Sequence, residues 1–348
     1  MYWIAYGSGY ESQVRYTAGP SPVGLGIGDL NNDSKLDIAI VNRGTDNIGI
    51  YFNRGDGAFL APQTYSTGDN PHSLRIADVN NDNKPDIIVT NAGSGSYNVG
   101  IFLNKGNGTF YAQTTYLTGA ASYLFSVIDV NNDNRLDIIV PNSNTGTVGV
   151  LLNAGSGTFS TQTTYAVGTM PHTAAVIDVN NDGKPDIVVA NRDSNNVGVL
   201  INTGIGTFQS QITYPTGARP TYIDVADVNR DGKPDVVVPN SSTTTMSVLI
   251  NAGDGTFHSR VTYSTSTTPG SITLADINGD NILDIVATLS SSVGIYLNTG
   301  NGTFLSEINY STDNGPHYSE VADLNGDNKP DIVVTNYGAA TIGVLLHV

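Results

Sequence analysis

The sequence predicts an all-β fold, a closed ring of seven four-stranded units, on three observations. First, the string D-x-N-x-D-x-x-x-D begins at Asp29, Asp78, Asp129, Asp178, Asp227, Asp276 and Asp323, at intervals of 49, 51, 49, 49, 49 and 47 residues. Second, units of that length fill the 348 residues and leave no room for a second domain. Third, apolar residues within each unit either alternate or run as short β-branched stretches between Gly and Asn, and no helical period intervenes. Four short strands recurring every 40–50 residues form the sequence pattern of a seven-bladed β-propeller.

One unit justifies the elements in order. Residues 172–179 alternate, with Ala174 and Val176 on one side, and lead into the acidic string. Residues 186–190 are a β-branched run ending at Asn191, and residues 197–201 are another. A glycine turn, Asn202 to Phe208, precedes a fourth strand that runs to Tyr214. Blades are expected at about 20–67, 68–118, 119–167, 168–216, 217–265, 266–311 and 312–348. Residues 10–19 align with the fourth strand of other units, so they should complete the seventh blade and hide its open edge.

Strand alternation also sorts the side chains just before the acidic string. Four residues before it stand Leu25, Leu74, Phe125, Ala174, Ile223, Ile272 and Ser319, and two before it Ile27, Ile76, Val127, Val176, Val225, Leu274 and Val321. These should pack between blades. The residues between them, Gly26, Arg75, Ser126, Ala175, Asp224, Thr273 and Glu320, are variable and partly charged, and belong at the central channel.

The acidic string points to a cation. Side-chain oxygens stand at positions one, three, five and nine: Asp29, Asn31, Asp33, Asp37; Asp78, Asn80, Asp82, Asp86; Asp129, Asn131, Asp133, Asp137; Asp178, Asn180, Asp182, Asp186; Asp227, Asn229, Asp231, Asp235; Asp276, Asn278, Asp280, Asp284; and Asp323, Asn325, Asp327, Asp331. Hard oxygens at alternate positions of a tight loop suit Ca²⁺, and suit the stricter octahedron of Mg²⁺ less well. Position six is Gly, Asn or Ser, as a sharp turn needs. An EF-hand is excluded, because a strand follows at once where that motif needs a Glu and a helix. The rival reading is that Asp and Asn merely make turns. Against it, two carboxylates ~4 Å apart repel by about 4 kcal/mol at an effective dielectric near 20. These loops hold 21 of the 31 acidic residues, so seven divalent ions would carry a net charge of -16 to -2. About seven structural Ca²⁺ ions are expected.

That acidity argues against nucleic acid and anionic membranes as partners. No apolar run approaches the ~18 residues of a membrane helix, and the absence of Cys excludes disulfides. No signal peptide is visible at the start of the chain, which suggests a region excised from a longer secreted or tethered protein.

The acidic loop, the following D-I-V-V-x-N and the V-G-V-L-L-N-x-G-x-G-T-F segment together resemble FG-GAP/VCBS repeats, the family of the integrin alpha-subunit propeller and of fungal seven-bladed lectins. The likeness covers all seven units. It implies a propeller with Ca²⁺ in the hairpin between strands one and two of each blade, acting extracellularly in recognition or adhesion, with carbohydrate binding as the alternative. The Gly-Ala-Pro of the integrin version is replaced by Asn-containing turns such as Thr90-Asn91-Ala92, so integrin ligand preferences do not carry over.

A binding surface for a protein or glycan is expected on the face opposite the acidic loops. His72, His172 and His317 share one repeat position, each after a Pro, where other units carry Val23, Tyr123, Thr221 and Gly270. The loops between strands two and three, with Arg43, Tyr97, Arg192 and Tyr337, lie on that face and should expose their side chains there. No nucleophile–base arrangement is present and no enzyme is expected. The weaker alternative, a lyase or hydrolase at the channel mouth, rests on Arg75, Asp224 and Glu320 alone.

Overall fold

The computed structural model describes residues 9–93, 95 and 97–348. Residues 1–8, including the Tyr2-Trp3-Ile4 segment that the repeat does not explain, lie outside them. Seven four-stranded antiparallel sheets form the ring, with a short two-stranded ribbon beside the third. Blade two shows the plan: Pro71–Ala77, Asp86–Asn91, Asn98–Phe102 and Thr114–Leu117, counted from the axis outward. The chain closes as expected. Val14–Thr17 pairs with Thr341–Leu345 and supplies the outermost strand of blade seven.

Burial follows position in the blade. Strand two is buried along its length in every blade because neighbouring blades cover both of its faces, which is why it reads as an unbroken apolar run. The fourth strand is exposed except at one inward tyrosine. The residues four before each acidic string are buried except Ile223, whereas those two before it are only half-buried and line the edge of the packed layer.

Three contacts recur around the ring and join each blade to the next. The outer-strand tyrosine of one blade meets, edge to face, the phenylalanine of the following glycine turn. Tyr65–Phe110, Tyr116–Phe159, Tyr165–Phe208, Tyr214–Phe257 and Tyr263–Phe304 all have ring centroids 5.4–5.5 Å apart. Such pairs contribute about 0.5–1.5 kcal/mol beyond their burial. The asparagine opening that turn donates its side-chain amide to two carbonyls, one in its own blade and one in the acidic loop of the preceding blade. Asn104 bonds Pro85 and Leu30, and Asn202 bonds Pro185 and Val130, at 2.8–2.9 Å. Asn53 makes the same bond to Leu324 and so joins blade one to blade seven. The second glycine of the turn completes the set. Gly206 has φ +69°, and a Cβ there would lie 3.1 Å from Leu152 of the preceding blade.

The seam between blades six and seven is built from different residues. His347 occupies the asparagine position and Tyr10 the phenylalanine position, paired as an antiparallel bridge like the Asn–Phe bridges elsewhere. Tyr10 packs edge-on against Tyr310 at 5.2 Å, stacks on His347 at 4.8 Å and donates its hydroxyl to the Pro330 carbonyl at 2.8 Å. One side chain thus fills both the aromatic role and half of the amide role.

Candidate functional site

The acidic loops form seven near-identical hairpins. Positions four and six take positive φ, as Asn81 (59°) and Asn83 (62°) do, which is the conformation Gly and Asn adopt most readily. The position-one carboxylate accepts the backbone N–H groups of positions five and six, and position three also accepts from five. In blade two, Asp82 N lies 3.1 Å from Asp78 Oδ1 and 3.0 Å from Asn80 Oδ1, and Asn83 N lies 2.7 Å from Asp78 Oδ2. The position-seven Lys or Arg pairs with the position-five carboxylate in five blades, for example Lys84–Asp82 at 3.2 Å. Such exposed pairs contribute at most about 1 kcal/mol.

Position nine has a role that the sequence did not announce. Asp86 is fully buried, and its two oxygens accept Val79 N at 3.1 Å and Asn104 N at 2.8 Å. It therefore clamps the loop to strand three of its own blade, and the same pair of bonds recurs in all seven blades. Burial raises its carboxyl to about 6, amide bonds oppose the rise, and the nearby Asp82 and Asp78 add to it. Among the described residues, no three acidic or histidine side chains stand gathered for a metal ion. The donor chemistry still suits a hard cation. A carboxylate offers about four lone-pair sites, and positions one and nine each use two of them on backbone N–H groups, so positions one, three, five and nine all keep oxygens that would hold the ion.

The opposite end of the channel is where the repeat breaks down. Rings from five blades meet on the axis. His72 lies 4.6 Å from Tyr123, 6.4 Å from His172 and 5.9 Å from His317, and Tyr123 stacks on His172 at 4.4 Å. Tyr222 lies 6.0 Å from His172 and 6.3 Å from His317. His172 and His317 direct Nδ1 at the carbonyls of Thr221 and Val23, at 3.1 and 3.2 Å, whereas the Nδ1 of His72 is buried with no hydrogen-bond partner. The histidines differ from the exposed rim residues that the sequence suggested. His72 is only 6% exposed. Burial pulls its ring well below the usual histidine range, helped by the neighbouring histidines and Arg43, and brings His172 down to about 3, helped by Arg192. The ring is therefore a plug of neutral imidazoles. Arg43 and Arg192 are half-buried beside it, Tyr337, 43% exposed, lies 6.1 Å from His317, and Tyr97, half-buried, is placed elsewhere, accepting from Asn144 at 3.3 Å.

Tyr222 and Tyr318, two residues before Asp224 and Glu320, stand on the channel side of strand one as alternation requires, but the sequence reading followed the histidine position beside them and did not single them out. Four of the seven first strands, at Pro22/Leu25, Pro71/Ser73, Pro171/Thr173 and Pro316/Tyr318, carry a register shift here. A bulge sets two residues against one and so re-aims the side chains; in blades two, four and seven the extra residue is the histidine, His72, His172 or His317. Regular Pro residues before the histidines were the available signal.

One layer deeper, Arg75, Asp224 and Glu320, from blades two, five and seven, surround a cavity of about 320 Å³ with Tyr222, Thr273 and Tyr318. Asp224 accepts Val225 N at 2.9 Å and Leu274 N at 2.8 Å. Arg75 donates to the Leu74 carbonyl and lies 5.8 Å above the Phe125 ring. Burial pushes Glu320 up to about 7 against the pull of Arg75, and raises Asp224 likewise.

A ring of this kind, with one repeated hairpin per blade, defines a repeat β-propeller. The FG-GAP-like repeat model matches residues 29–89, 82–140, 129–189, 178–238, 239–287 and 276–334, and the chain belongs to that family. Among solved structures it resembles an Agrocybe aegerita lectin that recognises non-reducing terminal N-acetylglucosamine, at 22% identity over 87% of this chain and 81% of that one, with a TM-score of 0.61. It also resembles BBS1N in complex with ARL6DN, at 15% identity over 97% and 96%, TM-score 0.71. Virginiamycin B lyase from Staphylococcus aureus matches at 14% identity over 98% and 100%, TM-score 0.68. Likeness at these identities is a likeness of fold. No curated protein matches the chain.

Proposed function

We propose that this protein is a non-catalytic, extracellular recognition module of the adhesion type, which takes a protein partner on the axial face opposite the acidic loops. The observation that carries this reading is the convergence of His72, Tyr123, His172, Tyr222 and His317 on one spot, with Arg43, Arg192 and Tyr337 beside it. A surface built once, from different residues of different blades, suits one asymmetric partner. Aromatic and Arg side chains around a packed centre are the composition of interface anchors. Pull-down from an extracellular protein pool tests it. Partners held by the wild type should be lost on Tyr337→Ala and Arg192→Ala together, and partners that survive both substitutions overturn the assignment.

In the same proposal the acidic loops hold Ca²⁺ through positions one, three, five and nine, and the bound ions supply the charge that the 21 loop carboxylates lack. A melt with and without EDTA, together with metal analysis, tests this. Six to seven equivalents of calcium and a lower midpoint on chelation are expected; an unchanged midpoint removes calcium from the account.

A carbohydrate-binding reading draws on the lectin likeness and on a cleft of about 350 Å³ between blades, lined by Tyr214, Phe257, His258 and Arg260. Aromatic faces beside polar tips suit sugar rings. A glycan array in millimolar calcium decides it, and no hits would end that reading.

A further inference from the structure

The axial cavity beneath the ring plug holds one guanidinium and two carboxylates, and no ion pair within 4.0 Å joins them. Asp224 is instead fixed from behind by the backbone N–H groups of Val225 and Leu274. With all three groups ionised, the half-buried pocket carries a net charge of −1. A buried charge without a counter-charge is costly, and it is relieved either by a proton or by a bound cation. Tyr222 and Tyr318, whose ring centroids are 5.8 Å apart, stand on the same wall and present aromatic faces that a desolvated cation favours. At about 320 Å³ the cavity is at the small end of ligand pockets.

We infer that this cavity is a binding site for a small organic ammonium ion, held by Asp224 and Glu320 against Tyr222 and Tyr318, with Arg75 facing the ligand's hydroxyl or carboxylate group. The site lies beneath the partner-binding face, shares only Tyr222 with it, and does not depend on a partner being bound. The ammonium supplies the missing positive charge, and the guanidinium, which lacks a carboxylate partner of its own, selects ligands that also carry an acceptor. A neutral sugar satisfies only the second requirement and a simple diamine only the first.

Calorimetric titration with choline, putrescine and glucose tests the inference. Choline, with one ammonium and one hydroxyl, should bind, putrescine more weakly, and glucose not at all. Glu320→Gln and Asp224→Asn should each weaken choline binding at least tenfold, while the circular dichroism spectrum and melt stay those of the folded ring. The groups facing the ligand are Arg75, Asp224, Glu320, Tyr222 and Tyr318, and of these Glu320 changes charge near neutrality. Choline affinity should therefore fall, by up to about tenfold, as the pH drops from 8 to 6. Tyr337→Ala should leave it unchanged. Glucose binding as tightly as choline, or choline affinity indifferent to both pH and Glu320→Gln, overturns the assignment. Failure of choline to bind would overturn it too, without touching the partner-binding proposal.

Discussion

The two ends of the channel follow opposite rules. At the loop end, seven copies of one hairpin repeat the same bonds while side chains such as Lys84, Arg135 and Ile282 vary at one position. At the other end, the corresponding repeat position holds Val23, His72, Tyr123, His172, Thr221, Gly270 and His317, and the side chains meet on the axis rather than in a repeated niche. Repetition suits a task done blade by blade, which is closure of a ring. Divergence at a point where all blades touch suits a task done once.

The comparison is broken most severely at the seam. Tyr10→Ala removes the Tyr310 and His347 contacts and the bond to Pro330 together, and should lower stability by about 3–5 kcal/mol, the range for deleting a packed aromatic side chain. Phe208→Ala, the same deletion at a regular joint, should cost a similar amount without making residues 9–19 protease-sensitive. Limited proteolysis beside a denaturant melt separates the two, and equal sensitivity would mean that the seam is an ordinary joint.

Next comes the amide that ties neighbouring blades. Asn202→Ala leaves the Val130 and Pro185 carbonyls without it and should cost about 1–3 kcal/mol. Asn202→Asp should cost more, because a carboxylate then faces two carbonyl oxygens. If both variants melt like the wild type, the recurring asparagine is not a joint.

The plug should reveal itself through pH. The unfolded histidine titrates near 6.5, whereas His172 in the folded ring is held at about 3, so the unfolded chain binds the extra proton between those values. The contribution of His172 is complete above pH 6.5 and is lost as the pH falls towards 3. At pH 5 the loss is about 2 kcal/mol by linkage. Melts at pH 7.5 and 5.0 for wild type and His172→Gln check the sign, and the variant should show the shallower slope. The smallest effect on stability belongs to Tyr337, whose exposed ring should be removable within about 0.5 kcal/mol even though partner binding is lost. A large loss of stability there would make Tyr337 part of the plug rather than of the surface.

Much of this was legible in the primary structure because repetition multiplies weak signals. One Asp-rich turn says little, but seven at near-constant spacing fix the blade count, the loop end and the strand order. The positive-φ positions were readable from Asn and Gly at loop position six, and the seam from the alignment of residues 10–19 with other outer strands. The charged layer of Arg75, Asp224 and Glu320 followed from alternation along strand one.

What the chain alone could not decide involves contacts between residues far apart in sequence. Position nine reads as one more oxygen of the acidic string; that Asp86 also accepts two backbone amides, one of them 18 residues away, is decided by burial. The histidines looked like rim residues because repeat position gives the radius of a side chain but not the neighbours it meets across the axis; only ring closure sets His72 against His317. Local periodicity therefore determined the blade, its loop and its count. Closure, which brings the start of every first strand to a single point and leaves one aromatic side chain to finish the last joint, determined where this propeller is unlike its own repeats.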